Sequence, residues 1–241
     1  TEDGAIVTLY AQWTAGEGTA YKVAYYLENL AGDGYDVQEE TFSGVTGSTV
    51  TAKIKKISGF THDSDDTDNV SSGIIAGDGS LVLKLYYTRN SYDAKWYDYD
   101  GTTLLTTTQA KYQQTISTPE VTAIRDGYTF GGWNIGSVTM TTDGVSFNAM
   151  DHGIWTANTY TVVFDANGGD GTMNAQSMTY DQTVDLTANA FTMAGYAFAG
   201  WSLDADGEAI YADREQVSNL TTEDGAIVTL YAQWTAGEGT A

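Results

Sequence analysis

The chain has no cysteine and little positive charge. Without cysteine, disulfides, thiolate metal sites and cysteine nucleophiles are excluded. Ten lysines and arginines stand against 32 aspartates and glutamates, so the formal net charge is −22. Such a surface repels nucleic acid and anionic lipid, and we expect neither as a partner. No apolar run reaches the ~18 residues of a membrane-spanning helix, which predicts no membrane insertion.

Helix-forming residues are sparse, and proline occurs once, at Pro119. Threonine, glycine, tyrosine and valine abound instead, and aromatic residues make up 12% of the chain. Because β-branched and aromatic side chains fit the pleated surface of a sheet, this composition predicts a mostly β fold. A single proline also excludes stiff polyproline spacers between domains.

One segment of the chain occurs twice. Residues 1–20 and 222–241 both read TEDGAIVTLYAQWTAGEGTA, without one difference. Chance does not produce twenty identical positions, and exact recurrence at a fixed period is typical of tandem arrays. We therefore predict that the chain is slightly more than one period, 221 residues long, of a longer array.

Each copy of the repeated segment contains a predicted strand. In VTLYAQW, apolar and polar residues alternate with the period of two that marks a half-buried strand. Its inward members are the predicted assembly residues: Val7, Leu9, Ala11 and Trp13 in the first copy, and Val228, Leu230, Ala232 and Trp234 in the second. Both copies fit one groove, so one of them is surplus within a single chain. The surplus copy is either disordered or completes a neighbouring molecule by strand addition.

Turn signals and strand patterns predict three consecutive small β-grasp-like domains in an elongated tandem-repeat array. The predicted boundaries are 1–18 for the last strand and linker of a preceding repeat, 19–90 for the first domain, 91–157 for the second, 158–235 for the third, and 236–241 for the linker to the next repeat.

The first domain has alternating segments at 21–27, 35–44, 50–57 and 80–87, separated by glycine-rich turns. Its opening YKVAYYLENLAGDGY, its turn GVTGSTV, its ISGF and VSSGII elements and its closing DGSLVLKLYY resemble the mucin-binding-protein type domain of Gram-positive surface proteins. The resemblance covers nearly the whole segment and implies a β-grasp-like fold.

The second and third domains share a motif, G-Y-x-F-x-G-W, at 127–133 and 195–201. The spacing of 68 residues is about one domain, which predicts that the two domains are paralogues. We interpret the aromatic residues of both copies as core, with sugar stacking by exposed rings as the functional alternative. These residues are Tyr128, Phe130, Trp133, Tyr196, Phe198 and Trp201.

In the third domain, YTVVFDANGGDGTM, FTMAGYAFAGW and VTLYAQW resemble the Listeria–Bacteroides repeat, also called the internalin B-type repeat. The second domain carries a shortened version that lacks the FDANGG opening. The resemblance implies a compact β-grasp-like sheet with a short helix, and a spacer or interaction role without catalysis. The best helix candidates are residues 117–124 and 183–191.

Acidic turns supply the candidate metal ligands, Asp165, Asn167, Asp170, Asp204 and Asp206, beside a run of aspartates at 63–68. Their spacing does not match an EF-hand loop, and Asp, Asn and Gly also favour β-turns for conformational reasons. The chain has two histidines, in different predicted domains, and no nucleophile elbow or phosphate-binding loop. We therefore predict no catalytic residues, no specific metal site and no cofactor.

The sequence as a whole predicts a structural repeat unit of an extracellular bacterial surface stalk or adhesin that sets length and projects other domains. The expected location is the cell surface or the cell wall, and the expected partners are neighbouring repeats of the same chain. Two alternatives stay open: an adhesive module that binds a host glycan or protein, and a filament subunit that assembles with copies of itself by strand complementation.

Overall fold

The computed structural model describes residues 3–237 and is mostly β, with 45% of residues in strands and 2% in helix. This confirms the mostly β prediction. Within the described residues, no helix is both long and apolar enough to cross a bilayer. The chain divides into two compact units. The first holds the residues up to Ala94 with Thr108–Ser117 and Ser137–Val145, and the second holds Lys95–Thr107, Thr118–Gly136 and the residues from Ser146 onward.

Residues 19–90 form six strands: β1 (Thr19–Glu28), β2 (Tyr35–Gly44), β3 (Thr49–Thr51), β4 (Phe60–His62), β5 (Ser72–Ile74) and β6 (Val82–Arg89). Four of them build a sheet in the order β2-β1-β6-β4, and β3 pairs with β5. β1 is antiparallel to β2 and parallel to β6, so the first and last strands lie side by side at the centre. As predicted, alternate residues of β6 and the residue before it face the core, where Leu83, Leu85 and Tyr87 are buried.

Residues 91–157 form five strands and one helical turn: β7 (Ser91–Tyr97), β8 (Leu104–Lys111), β9 (Tyr128–Trp133), β10 (Val145–Asn148), α1 (Ala149–His152) and β11 (Gly153–Ala157). One sheet has the order β10-β7-β8, and β9 pairs with β11. The side chain of Asn148 caps α1 by accepting a hydrogen bond from the Asp151 N–H at 2.8 Å. The predicted last strand of this segment, residues 152–158, is confirmed as β11.

Residues 158–237 form six further strands: β12 (Thr159–Asp165), β13 (Gln176–Thr179), β14 (Val184–Asp185), β15 (Tyr196–Ser202), β16 (Gln216–Val217) and β17 (Ile227–Ala236). Their sheet has the order β13-β12-β17-β15, and β14 pairs with β16. β12 is antiparallel to β13 and parallel to β17. Strand for strand, this repeats the plan of residues 19–90, although the two segments have little sequence in common.

The G-Y-x-F-x-G-W motif forms β15 with a bulge between Phe198 and Gly200. Gly200 has a φ of +139°, and a Cβ atom there would lie 2.6 Å from the Tyr211 carbonyl oxygen, so only glycine fits. The additional residue brings Trp201 to the same side as Phe198, with their ring centroids 4.9 Å apart. The bulge therefore lets two aromatic residues three positions apart share one core.

The core interpretation of the motif holds for most of its aromatic residues. Trp201 is fully buried, and the rings of Phe198 and Trp234 are half-buried. The Phe198 ring lies 4.9 Å from the Trp201 ring and 5.8 Å from the Trp234 ring, measured between centroids. The other motif has the same arrangement around Phe130, which contacts the rings of Trp133 and Trp155. The interpretation is wrong for Tyr196, which is 52% exposed at the start of β15.

Three element predictions are wrong. The strand predicted over residues 50–57 ends with β3 at Thr51. Beyond it, the main chain of Lys55 exchanges hydrogen bonds with the Tyr87 hydroxyl and not with a neighbouring strand. The predicted helix over 183–191 is a short strand followed by a loop, in which the Phe191 N–H bonds the Asn189 side chain. The predicted helix over 117–124 is also a loop, and the Ile124 N–H bonds the Asp98 carboxylate.

The β7–β8 hairpin turns at Asp100 and Gly101, as the sequence predicts. The Asp100 carboxylate accepts hydrogen bonds from the main-chain N–H groups of Thr102 and Thr103 and from the Thr103 hydroxyl. These bonds, led by that from the Thr103 side chain, lower the pKa of Asp100 from 3.8 to about 2. The ionised carboxylate therefore holds the turn.

We predict that Thr103→Val raises the pKa of Asp100 toward its ordinary value, and that Thr102→Val raises it less. Because the folded pKa lies below the unfolded one, the turn is fully stabilised above pH ~4 and loses this contribution as the pH falls to about 2. Carboxyl-carbon NMR titration of the two variants measures both shifts. Equal pKa values in wild type and Thr103→Val would contradict the assignment.

Candidate assembly site

The second copy of the repeated segment completes the sheet of residues 158–237. β17 lies between β12 and β15, pairing with the first in parallel and with the second in antiparallel register. Of the predicted assembly residues in this copy, Leu230 and Ala232 are fully buried, while Val228 and Trp234 pack against the same core. The Trp234 indole N–H donates to the Ala166 carbonyl oxygen at 3.0 Å. The predicted strand and its inward face are therefore present.

The first copy has the same sequence and a different environment. Residues 5–16 form no strand within the described chain. Leu9 and Trp13 are 89% and 91% exposed, and Val7 and Ala11 are exposed as well. A strand needs a neighbouring backbone to pair with, and the two strands that hold this sequence in the other copy are already joined through β17. Residues 7–13 therefore stand as the surplus copy in this chain, and their role as the last strand of a preceding repeat stays a prediction.

The end of the first copy does dock. The Gly16 carbonyl oxygen accepts a hydrogen bond from the Thr46 N–H at 2.9 Å, and the hydroxyls of Thr19 and Thr46 lie 2.7 Å apart. Residues 45–48 form the turn that follows β2, closed by the Ser48 N–H bonding the Val45 carbonyl at 3.0 Å. The strand of the repeated segment therefore belongs to the sheet before it, as β17 does, and the end of the segment contacts the sheet that follows, as Gly16 does.

Asn90 links β6 to β7 and is the only residue between them. Its N–H donates to the Gly59 carbonyl oxygen at 2.9 Å, and its own carbonyl oxygen accepts from the Tyr112 N–H at 2.8 Å. Its side-chain oxygen accepts from the Thr61 hydroxyl at 2.8 Å. One residue thus ties the turn before β4 to the turn after β8.

Asn158 makes the same contacts between β11 and β12. Its N–H donates to the Gly127 carbonyl oxygen at 2.8 Å, and its carbonyl oxygen accepts from the Tyr180 N–H at 2.9 Å. Its side-chain oxygen accepts from the Thr129 hydroxyl at 2.7 Å. All four residues lie 68 positions after their counterparts around Asn90. We call each such set a junction, named after its linking residue.

Glycine is required in both junctions because a tyrosine ring lies against it. A Cβ atom on Gly59 would lie 2.1 Å from the Tyr112 ring, and one on Gly127 would lie 2.3 Å from the Tyr180 ring. Both glycines also have positive φ, +79° and +74°, as the third residue of a four-residue turn. The residue after each glycine meets the same tyrosine edge-on, as Tyr128 meets Tyr180 with 5.8 Å between ring centroids.

Buried charge reinforces the Asn90 junction. The Arg89 guanidinium donates to the carbonyl oxygens of Glu28 and Tyr112, at 3.0 and 3.1 Å, and to the Gln113 side chain at 3.1 Å. Burial raises the pKa of Glu28, but hydrogen bonds from the Lys111 side chain and the Arg89 N–H outweigh it and lower that pKa overall. Glu28 is therefore ionised beside the arginine.

A hydrogen-bonded group flanks the Asn158 junction. The Tyr128 hydroxyl donates to the Asp181 carboxylate at 2.7 Å, and the Asn219 side-chain NH₂ donates to the same carboxylate at 2.8 Å. The tyrosine bond comes first among the causes that lower the pKa of Asp181 and raise the pKa of Tyr128. The Arg125 guanidinium stacks on the Tyr128 ring at 3.5 Å. These contacts fix the tyrosine against the turn at Asp181.

We predict that Gly127→Ala destabilises the second unit by about 2–4 kcal/mol more than Gly195→Ala does. Both substitutions strain a positive φ, but only at Gly127 does the new methyl group meet a tyrosine ring, since nothing lies within 4 Å of the same position on Gly195. Urea unfolding compares the two variants, and amide hydrogen exchange at Asn158 locates the loss. Equal losses would mean that the ring contact has no energetic weight.

The predicted metal-ligand candidates act as turn residues. Asp165 accepts from the Asn167 N–H at 2.8 Å, and Asp204 accepts from the Asp206 N–H at 3.1 Å. The Asn167 side chain donates to the Ala205 and Ala232 carbonyl oxygens. Asp170 pairs through its main chain with Thr192. Across residues 3–237, no three acidic or histidine side chains come together as a metal site would require.

Sequence reasoning missed the linking asparagines and their glycine partners. The signal was present, because Tyr112 and Tyr180 begin matching segments at the same spacing of 68 residues as the G-Y-x-F-x-G-W motifs. Extending that alignment upstream pairs Gly59 with Gly127 and Asn90 with Asn158. Main-chain hydrogen bonds leave no pattern of side chains in a sequence. Only the repetition at 68 residues could therefore have identified the linking asparagines.

The Listeria-Bacteroides repeat domain model matches residues 96–152 and 160–233, together more than half of the chain. The chain therefore belongs to the Listeria-Bacteroides repeat domain family, which confirms the resemblance to that family, while its internalin B-type form stays a prediction. Residues 19–90 lie outside both matches, and their likeness to a mucin-binding-protein type domain stays a prediction. Repeats of this family are structural and not catalytic, and they are typical of bacterial surface proteins.

Two of the known proteins that are similar to this chain are a bacterial membrane protein and a protein of solved structure. A Gly-rich membrane protein of Evansella cellulosilytica is 31% identical over 125 residues, which cover 46% of this chain and 14% of that protein. Among solved structures, the Bacillus anthracis TIE protein is 12% identical with a TM-score of 0.36, covering 91% of this chain and 51% of that one. The chain spans only a small part of the first relative and about half of the second, and the structural likeness is too weak to define a fold.

Proposed function

We propose that the chain is a structural repeat unit of an extracellular bacterial surface protein, a stalk or adhesin, that sets length and projects other domains. The observation that carries the proposal is the Asn junction, which recurs with the same contacts at residues 90 and 158. A protein that joins successive domains in one way, and that contains an exact copy of a segment one period later, is built to grow by adding units.

In this proposal each period contains three small β-grasp-like domains, residues 19–90, 91–157 and 158–235. The shared strand order of the first and third supports the assignment, since both place their first and last strands side by side in parallel. The linking residues Asn90 and Asn158 fall at the proposed boundaries. The likeness of residues 19–90 to a mucin-binding-protein type domain belongs to the same proposal.

Charge and relatives agree with a location outside the cell, at the surface or in the wall. A net charge of −22 keeps crowded copies of the array soluble and apart. The family is typical of bacterial surface proteins, and the Evansella relative is a Gly-rich membrane protein. In the proposed array the partners of each period are the periods before and after it.

One observation favours a second candidate, a filament subunit that assembles by strand complementation. The first copy of the repeated segment exposes the apolar face that its twin buries, including Leu9 and Trp13. Exposed apolar residues with unpaired main-chain groups are suited to adding a strand to another molecule. The proposed assembly residues are the inward members of both copies: Val7, Leu9, Ala11, Trp13, Val228, Leu230, Ala232 and Trp234.

The adhesive alternative has a candidate surface beside the Asn158 junction. A groove of about 530 Å³ lies there, with Arg125 between the rings of Tyr99 and Tyr128. Planar rings and acidic side chains such as Asp98 and Asp126 offer stacking and hydrogen bonds to a sugar. Titration of mucin glycans into wild type and Tyr99→Ala would test this alternative.

Mass in solution separates the stalk from the filament. Light scattering over a hundredfold range of concentration compares the full chain with a version that lacks residues 1–17. The stalk account predicts a monomer in both cases. Oligomers that grow with concentration in the full chain and vanish in the shortened one would favour the filament.

A further inference from the structure

The period has three domain boundaries, and only two of them carry an asparagine junction. The third boundary lies where the third domain of one period meets the first domain of the next. Because residues 1–20 and 222–241 are identical, Gly16 and Gly237 occupy the same position of the period. Each can therefore show the contacts that this position makes on one side of the boundary.

Gly237 shows the upstream half of a junction. Its N–H donates to the Gly195 carbonyl oxygen at 2.9 Å. Gly195 lies 68 positions after Gly127 and has the same role in its turn, with a φ of +79° and the Tyr196 N–H closing the turn onto the Met193 carbonyl. Gly237 thus stands where Asn158 stands in the second junction.

Gly16 shows the downstream half. Its carbonyl oxygen accepts from the Thr46 N–H at 2.9 Å, as the Asn158 carbonyl accepts from the Tyr180 N–H. Thr46 and Tyr180 each lie second in a four-residue turn after the second strand of their domain. The next residue has positive φ in both turns, +81° at Gly47 and +61° at Asp181.

We infer that consecutive repeats meet through a third junction, in which the turn at Gly195–Ala197 of one repeat receives the turn at Thr46–Gly47 of the next. This inference rests on the proposed tandem array. The exposure of Tyr196 agrees with it, because its counterparts Phe60 and Tyr128 are half-buried against the tyrosine of the next domain. In this chain the surface at Gly195 has nothing within 4 Å of the position of a Cβ atom.

The third junction is built to be the most flexible of the three. Its linking residue is glycine, and Ala197 replaces the threonine that bonds the asparagine side chain in the other two junctions. The third junction therefore has neither the donor nor the acceptor of that hydrogen bond. Thr46 replaces the tyrosine ring. Exposed Glu17 and Gly18 follow the linking residue, whereas a strand follows Asn90 and Asn158 directly. Glycine widens the range of accessible backbone angles, so each period has one joint that bends more readily than the others.

Spin-label distances test the inference in a chain of two periods, residues 1–241 followed by a second 21–241. The absence of native cysteine lets two labels be placed alone. One pair is Ala194→Cys in the first period with Ser48→Cys in the second. The control pair is Asp126→Cys with Gln182→Cys, which occupies the matching turn positions beside the Asn158 junction and keeps its tyrosines. We expect a short distance for both pairs and a broader distribution for the first. Absence of a short distance in the first pair would overturn the inference.

Matched substitutions address the flexibility. Ala197→Thr with Gly237→Asn in the two-period chain supplies the missing hydrogen bond and is expected to narrow the first distribution toward the control. Thr129→Ala with Asn158→Gly is expected to broaden the control distribution. No change in either would contradict the assigned role of the linking residue. Light scattering on the same chain distinguishes a failure of the proposed function from a failure of this inference. Association of the chain would contradict the stalk. A monomer without the short spin-label distance would contradict the third junction alone.

Discussion

Leu230→Ala is expected to destabilise the second unit by about 2–5 kcal/mol, because it removes a fully buried side chain from the centre of the sheet. Leu230 lies in β17, between β12 and β15, and belongs to the core that includes Trp201. The loss includes both the transfer of the side chain and the cavity that remains. Urea unfolding combined with hydrogen exchange of β12 and β17 measures it.

Leu9→Ala is the matched control, because Leu9 occupies the same position in an identical stretch of sequence and is 89% exposed. Its expected effect is within about 0.5 kcal/mol, as for surface substitutions in general. If the first copy could replace the second in the groove, Leu230→Ala would be partly rescued and Leu9→Ala would become costly in that background. Additive effects support the assignment of β17 as the resident strand.

Arg89→Met is expected to destabilise the first unit by about 3–5 kcal/mol, because it removes a buried guanidinium and leaves its hydrogen-bond acceptors without a donor. The methionine keeps much of the apolar stem against the Phe60 ring, which lies 4.6 Å from the guanidinium carbon. What is lost are the donors to the carbonyl oxygens of Glu28 and Tyr112 and to the Gln113 side chain. Hydrogen exchange at the Tyr112 amide follows the junction itself.

Lys111→Met is the control for Arg89, because Lys111 is the other cation beside Glu28. Its ammonium group contacts the Glu28 carboxylate and is about one-third exposed, whereas the buried Arg89 side chain bonds the Glu28 carbonyl oxygen. Exposed ion pairs contribute about 0–1 kcal/mol, so this loss should be several times smaller. Arg89→Lys should fall between the two, since an ammonium group cannot reach three acceptors in the fixed geometry of a guanidinium. A loss from Lys111→Met as large as that from Arg89→Met would contradict the role of the buried arginine.

The strands that the sequence predicts correctly are those whose pattern alternates and whose partners lie within the same domain. β6 and β17 are examples, with buried residues at Leu83, Leu85, Leu230 and Ala232. The prediction fails where a main-chain group finds a side-chain partner. At Lys55 the Tyr87 hydroxyl takes the place of a neighbouring strand, and such competition does not appear in a pattern of apolar residues.

The same limit applies to the candidate site. The repeat identified the assembly residues by position, and the predicted boundaries left the first copy surplus. The exposure of Leu9 and the burial of Leu230 follow from which copy has strands to pair with, and the identical sequences do not contain that information. Asn90 and Asn158 cross the boundaries mainly through their main-chain groups, which every residue shares, and each adds one side-chain hydrogen bond to a threonine. The bulge at Gly200 could not be predicted from an alternation with a period of two either, because it adds one residue to the strand and shifts the side chains that follow to the opposite face.

The central claim is that the chain adds length by repetition. Small-angle scattering of chains with one, two and three periods tests it most directly, through the maximum dimension of each. We predict monomers whose maximum dimension rises by a constant step for each added period. The distribution of pair distances within the molecule should broaden as flexible third junctions accumulate. Chains of different period number with the same maximum dimension, or chains that associate through residues 1–17, would contradict the account.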